Sequence, residues 1–133
     1  MDRLAAVALF ARCSKRELQI VARHVETAEF PAGTQLVVEG EQGDAFFIVL
    51  DGEVVLRRGG RKVGTLGPGD YFGELALLDP APRSATATAA TEVRVAVLGA
   101  RMFRTLLREL PSISERLLSS LARAFRDAGG TSF

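Results

Sequence analysis

Regularly spaced glycines constrain the fold of this chain more than any other feature of its sequence. Ten of the 13 glycines lie between Gly33 and Gly73, and five of these recur at intervals of 8 to 10 residues: Gly33, Gly43, Gly52, Gly60 and Gly69. Turn residues at intervals of about 8–12 residues separate the short strands of antiparallel sandwiches and barrels. The middle of the chain is therefore predicted to be a small antiparallel β structure.

The segments between these glycines have the composition of short strands. Together with two later segments they predict strands over residues 34–39, 45–50, 53–58, 62–66, 84–90 and 92–98. The whole chain is predicted to have about eight strands. Asp51-Gly52 stands between two apolar runs, and such a dipeptide predicts a two-residue hairpin between the strands that flank it. Gly59-Gly60, flanked by Arg57-Arg58 and Arg61-Lys62, is predicted to be a solvated hairpin tip and not a nucleic-acid patch.

Both ends of the chain are predicted to be helical. Ser14 and Glu17 form a capping box that begins a helix ending near His24. A second helix follows the last strand and ends before Pro111, because a proline disfavours helical geometry in the residue that precedes it. Its apolar face consists of Phe103, Leu106, Leu107 and Leu110.

A second capping box, Ser112 with Glu115, predicts a third helix that begins at Ser112. Its apolar stripe is Ile113, Leu117, Leu121 and Phe125. The predicted fold class is therefore α+β, mainly β. The strands are predicted to form a small antiparallel sandwich or barrel, with an N-terminal helix and two C-terminal helices.

Composition excludes several classes of function. The 133 residues suffice for one domain, and the 17 basic and 16 acidic side chains show no polyanion-binding signature. A single cysteine, Cys13, and a single histidine, His24, cannot build a disulfide or a multi-histidine metal site. Since the N-terminus lacks the apolar core of a signal peptide and no apolar run reaches about 18 residues, we expect a soluble cytoplasmic domain without membrane contact. No cofactor is expected.

One stretch, residues 72–86, interrupts the rhythm of the strands. Residues 75–78 can form a single helical turn, whose first amide groups would lack intrahelical partners and could bind an anion beside Gly73. Arg83 follows, and its planar guanidinium can hold a phosphate by two hydrogen bonds, with the hydroxyl of Ser84 beside it. Glu74 would repel an anion but can accept hydrogen bonds from hydroxyls, which points to a sugar next to the phosphate.

The run Phe-Gly-Glu-Leu-Ala-Leu-Leu at residues 72–78, followed by Pro-Arg-Ser-Ala-Thr at residues 82–86, resembles the phosphate-binding cassette of cyclic nucleotide-binding domains. The resemblance extends over nearly the whole chain and implies one domain, residues 1–133, whose fold is an antiparallel β-roll, a jelly-roll-like double-stranded barrel. It would have an N-terminal helical part at 1–28, a β-roll at 29–98 with the cassette at 72–86, and two C-terminal helices at 99–128.

The resemblance also implies roles for individual residues. Arg83 would bind the cyclic phosphate and Glu74 the ribose 2′-hydroxyl. Backbone amides of Gly73, Glu74, Leu75 and Ala76 and of Ser84 and Ala85 would bind phosphate and sugar. Leu56 and Val63 would line the base. We further hypothesise that Arg126, on the moving C-terminal helix, contacts the purine.

The favoured ligand is cyclic AMP, with cyclic GMP as the second candidate. Family members with Thr directly after the arginine tend to prefer cyclic GMP, and members with Ala at this position tend to prefer cyclic AMP. Ser84 is intermediate, and it resembles bacterial cyclic-AMP receptors that carry Ser at this place. The implied partner is thus a small cyclic nucleotide.

Three other functions are alternatives to a cyclic-AMP sensor. A degenerate domain would keep the fold and serve in interaction or dimerisation without ligand. A cupin-like enzyme would need a cluster of metal ligands that one histidine cannot supply. A transcription factor of the catabolite-activator type would need a helix-turn-helix after the last helix, so no direct nucleic-acid binding is expected within these residues. The last helix could instead support a homodimer or an effector domain.

Overall fold

The computed structural model describes residues 12–73, 82–116 and 119 of the chain. Within them the order is helix α1, eight strands and helix α2, followed by helical residues 111–116, which we call α3. The bounds are α1 Lys15–His24, β1 Glu26–Phe30, β2 Gln35–Val37, β3 Ala45–Asp51, β4 Val54–Arg58, β5 Arg61–Leu66, β6 Tyr71–Phe72, β7 Thr86–Ala89, β8 Val93–Gly99 and α2 Ala100–Glu109.

The strands form two four-stranded antiparallel sheets. The first sheet has the order β1-β8-β3-β6 and the second has the order β2-β7-β4-β5. Strands that are distant in the sequence therefore pair, as in the β3–β8 ladder that runs from Ala45↔Gly99 to Asp51↔Arg94. This arrangement confirms the predicted antiparallel β-roll with flanking helices.

Strand β3 separates two apolar clusters because its side chains alternate between the faces of the first sheet. Phe47 and Val49 point into the space between the two sheets, while Phe46 and Ile48 lie under the helices. The inner cluster is Phe47, Val49, Val54, Phe72, Ala87, Ala89, Val93 and Val95. The outer cluster is Leu18, Val21, Phe46, Ile48, Ala96, Leu98, Phe103, Leu106, Leu110 and Ile113.

The hairpin predicted at Asp51-Gly52 is wrong. Strand β3 pairs with β6 and β8, whereas β4 pairs with β5 and β7, so this turn carries the chain from one sheet to the other. Gly52 has φ 90°, and a β-carbon there would overlap the carbonyl oxygen of Glu92. The apolar runs on either side identified two buried strands, but they did not say whether both belong to one sheet.

The sequence did not predict β1 or β6. Strand β1 begins at Glu26, earlier than the residue 29 at which the β-roll was expected to start, and it pairs with β8 from Glu26↔Val97 to Phe30↔Val93. No turn glycine precedes it, and its side chains are mostly exposed. Strand β6 has only two residues, too few to show an alternating pattern.

The first helix begins as predicted, and the third does not. In α1 the hydroxyl of Ser14 accepts from the amide of Glu17, whose carboxylate accepts from the amide of Ser14. Helix α3, however, starts at Pro111 and not at Ser112, so Ser112 lies inside the helix and cannot cap it. Proline suits the first helical position because its missing N–H would have no partner there.

Among the described residues, no helix is long and apolar enough to cross a membrane.

Candidate functional site

Arg83 is the buried cation of the β-roll. Only 7% of the residue is exposed, and its Nη2 donates a hydrogen bond to the carbonyl oxygen of Ala45 at 2.9 Å. Ala45 is the first residue of β3, so the guanidinium lies where the buried central strand of the first sheet begins. Burying a charged group costs free energy unless it is paired and hydrogen-bonded, and a bound anion offsets that cost.

Two glycines make room for this guanidinium. A β-carbon at Gly43 would overlap Nε, Nη2 and Cζ of Arg83, and one at Gly73 would lie 2.8 Å from Nη1 and 2.6 Å from the Ala45 carbonyl oxygen. Gly73 also has φ 96°, a backbone conformation that other residues rarely adopt. The guanidinium of Arg83 thus lies between two backbone segments, and a side chain at Gly43 or Gly73 would displace it.

Backbone hydrogen bonds fix the segment that carries Arg83. Its amide donates to the carbonyl of Glu41 and its carbonyl accepts from the amide of Gly40, both at 2.9 Å. The amide of Glu39 donates to Oγ1 of Thr86 at 2.9 Å. The turn before β3 therefore holds the start of β7 in place.

The β4–β5 hairpin approaches the same segment from the other side. Gly59 and Gly60 both have positive φ, 59° and 79°, as a type I′ turn requires, so this predicted hairpin tip is confirmed. Arg58, beside the tip, donates from Nε to the carbonyl oxygen of Ser84 at 2.9 Å. Arg57, Arg58, Arg61 and Lys62 are exposed, as predicted for a solvated tip.

The two residues predicted to line the base lie on this hairpin. Leu56 pairs with Gly64 on β5 and with Ala87 on β7. The register then shifts, so that Arg57 pairs with Lys62 and Val63 forms a bulge. Val63 is 50% exposed, the largest exposure of any large hydrophobic side chain among the described residues.

The structure thus brings Arg83 together with Gly73, Ser84 and Ala85, and it places Leu56 and Val63 on the neighbouring hairpin. Glu74, Leu75, Ala76 and Arg126 lie outside the described residues, as does the predicted helical turn, so their roles stay predictions.

Sequence reasoning missed two neighbours of the cassette. Gly43 was predicted only as a turn, and nothing in its local sequence indicates that it faces Arg83. Arg58 was assigned to a solvated tip, and its contact with Ser84 depends on pairing across the second sheet. The contact could have been predicted only from the pairing of β4 with β7, which places Arg57 opposite Thr86.

Two titratable groups lie away from the site, in α1 and next to it. Burial raises the pKa of the Cys13 thiol, and the hydrogen bond with the Ser112 hydroxyl 3.5 Å away offsets only part of this rise. The hydrogen bond from the Ser14 amide lowers the pKa of Glu17. No group of three or more metal-ligating side chains occurs in the described part of the chain.

A helix-flanked β-roll with a buried arginine at its edge, enclosed by glycines, has the fold and the charge to bind a small anionic ligand. The sequence matches the profile described as "Cyclic nucleotide-binding domain" over residues 27–109. The chain belongs to the cyclic nucleotide-binding domain family.

Relatives and solved structures agree with this assignment. The chain is 35% identical over 128 residues to the CRP-like cAMP-activated global transcriptional regulator of Mycobacterium tuberculosis, covering 92% of this chain and 57% of that protein. It is 41% identical over 122 residues to the cAMP-dependent protein kinase regulatory subunit of Mycosarcoma maydis, covering 85% of this chain and 23% of that protein.

The crystal structure of the Thermus thermophilus catabolite activator protein superposes with a TM-score of 0.87 at 33% identity, covering 92% of this chain and 60% of that one. The chain therefore spans less than two thirds of the length of each of these relatives.

Proposed function

We propose that this chain is a non-catalytic sensor that binds a cyclic nucleotide, preferentially cyclic AMP. The observation that carries the proposal is the buried guanidinium of Arg83, enclosed by Gly43 and Gly73 at the edge of the roll. A cyclic nucleotide offers one phosphodiester negative charge on a small ring. A guanidinium can bind two oxygens of such a group at once, which supplies both charge and geometry.

The neighbouring hairpin supports a purine beside the phosphate. Val63 leaves half of its surface exposed, and a bulge places it out of the regular ladder. An aromatic base that covered this side chain would gain free energy in proportion to the apolar area removed from water. Leu56, partly buried on the adjoining strand, would form the floor beneath it.

The names of the two relatives support cyclic AMP over cyclic GMP, since both proteins are named for cAMP. We propose that Glu74 accepts from the ribose 2′-hydroxyl and that the amides of Gly73 to Ala76, Ser84 and Ala85 bind phosphate and sugar. Movement of the C-terminal helix, with Arg126 near the purine, would pass the signal to an effector domain or a second copy of the chain. A cytoplasmic location remains part of this proposal.

Calorimetric titration with cyclic AMP and cyclic GMP side by side tests the proposal. We expect saturable binding of cyclic AMP with one site per chain, and a Kd for cyclic GMP that is higher by a modest factor. An independent readout is thermal unfolding, because ligand at about 100 times its Kd adds roughly 2.7 kcal/mol of stability. A folded chain that responds to neither nucleotide in either measurement would instead identify a degenerate domain that serves in interaction or dimerisation.

A further inference from the structure

We infer that Arg58 is a positioning residue for the phosphate site, because it orients the peptide group between Ser84 and Ala85. This inference rests on the function proposed above, and it adds a residue outside the cassette. Its basis is the hydrogen bond from Arg58 Nε to the Ser84 carbonyl oxygen at 2.9 Å.

Regular strand pairing ends just before this peptide group. The β4–β7 ladder runs from Val54↔Ala89 to Arg57↔Thr86, and β7 itself begins at Thr86. The side chain of Arg58 continues the contact between the two segments one step further, by bonding to Ser84. The cassette segment is thus held to the second sheet by a side chain at the point where the backbone ladder stops.

A bond to the Ser84 carbonyl also fixes the direction of the Ala85 amide. The carbonyl of one residue and the N–H of the next share a planar trans peptide unit and point in opposite directions. Holding the Ser84 oxygen towards β4 therefore aims the Ala85 N–H away from β4. A cationic donor on the carbonyl also polarises the peptide group, which makes its N–H a better donor to a phosphate oxygen.

The backbone at Arg58 is itself fixed, although its side chain is largely exposed. The amide of the next residue, Gly59, donates to Oε1 of Glu39 at 2.8 Å. The amide of Glu39 donates in turn to Oγ1 of Thr86 at 2.9 Å. Hairpin tip, turn and cassette are therefore tied at three points, which distinguishes the Arg58 contact from that of an isolated surface arginine.

Arg57 provides a matched control, since it is also exposed and carries the same charge on the same strand. We would compare Arg58→Met with Arg57→Met by titration with cyclic AMP and cyclic GMP in about 0.15 M salt, where the Debye length is about 8 Å. The loss of one hydrogen bond predicts a Kd raised about three- to tenfold for Arg58→Met, and less than about twofold for Arg57→Met.

Two readouts separate positioning from a general loss of structure. The loss in Arg58→Met should be equal for both nucleotides, because the affected contact is to the phosphate and not to the base. The amide proton of Ala85 should shift on cyclic AMP addition in the wild type and in Arg57→Met, and shift less in Arg58→Met. Urea unfolding midpoints test whether both variants are folded, and Arg58→Lys replaces Arg58→Met if the latter does not fold.

Equal Kd values for the two methionine variants, with an unchanged Ala85 shift, would overturn the role of Arg58 and leave the proposed function intact. A wild-type chain that binds neither nucleotide would overturn both. A loss confined to one of the two nucleotides would also contradict the inference, because it would indicate a contact to the base.

Discussion

The backbone at Gly43 faces the guanidinium of Arg83 so closely that a β-carbon on this glycine would overlap three atoms of the guanidinium group. The two residues are far apart in the sequence, and the turn before β3 brings them together. The absence of a side chain at Gly43 is therefore part of the site, even though this residue lies outside the cassette.

Gly43→Ala should weaken cyclic AMP binding while the roll stays folded. Gly43 does not adopt a positive φ, so alanine adds only its methyl group, which displaces Arg83. The displaced guanidinium would lose a charged hydrogen bond to the phosphate that contributes roughly 1.5–3 kcal/mol, which corresponds to a Kd raised about 10- to 150-fold. Gly67→Ala is the control, since a β-carbon there meets no atom within 4 Å. Equal affinities of the two variants in calorimetry would contradict the prediction.

Arg83→Ala should raise the Kd for cyclic AMP by about 10- to 150-fold, because a charged hydrogen bond contributes roughly 1.5–3 kcal/mol. Arg83→Lys keeps the charge but loses the planar pair of donors, so its affinity should lie between those of alanine and wild type. Calorimetry on all three proteins measures the series. A wild-type affinity no better than that of Arg83→Ala would remove Arg83 from the phosphate site.

Val63→Thr should weaken binding without changing stability. The substitution keeps the branched shape but replaces a methyl by a hydroxyl, and we expect the Kd for cyclic AMP to rise about three- to tenfold. Since Val63 is half exposed without ligand, the free energy of unfolding should change by less than about 0.5 kcal/mol. Titration and urea unfolding measure the two quantities. An unchanged Kd would place the base elsewhere.

The capping box of α1 predicts a pH dependence of stability. The pKa of Glu17 is lowered in the folded chain, chiefly by the hydrogen bond from the Ser14 amide. Because the pKa of Glu17 is lower in the folded chain, its ionised carboxylate stabilises the fold at pH values above the pKa in the unfolded chain, about 4.3. This stabilisation is lost as the pH falls through the pKa in the folded chain. The unfolding free energy of the wild type should therefore approach that of Glu17→Gln between pH 5 and about pH 3 in urea titrations. A constant difference between them across this range would show that the charge of Glu17 contributes nothing.

The C-terminal helix should become more protected when ligand binds. Residues 117, 118 and 120–133 lie outside the described part of the chain, and we predict that Leu117, Leu121, Phe125 and Arg126 close over the site. Hydrogen exchange of residues 112–128 should slow on addition of cyclic AMP, because a docked helix opens less often. Truncation after Ala122 should weaken binding and leave the roll folded. Unchanged exchange and affinity would show that this helix is fixed packing.

The sequence by itself predicted the β-roll, the flanking helices and the cassette. Each prediction depended on local chemistry: glycines at turns, the Ser14–Glu17 capping box, and a run of residues at fixed spacing. Such features act within a few residues of one another, so they are visible in a single stretch of chain.

Tertiary structure alone decided which strands pair and what surrounds Arg83. The Asp51-Gly52 turn connects the two sheets, because β3 pairs with β8 and β4 pairs with β7. These pairings bury the two apolar clusters, which contain residues from distant parts of the chain. Gly43 and Arg58 reach the cassette through these pairings. The contacts of Arg58 with Ser84 and of Gly43 with Arg83 join residues that are 26 and 40 positions apart. Such contacts have no local sequence signature, because they form only when the two sheets pack and the burial of their apolar faces sets the strand register.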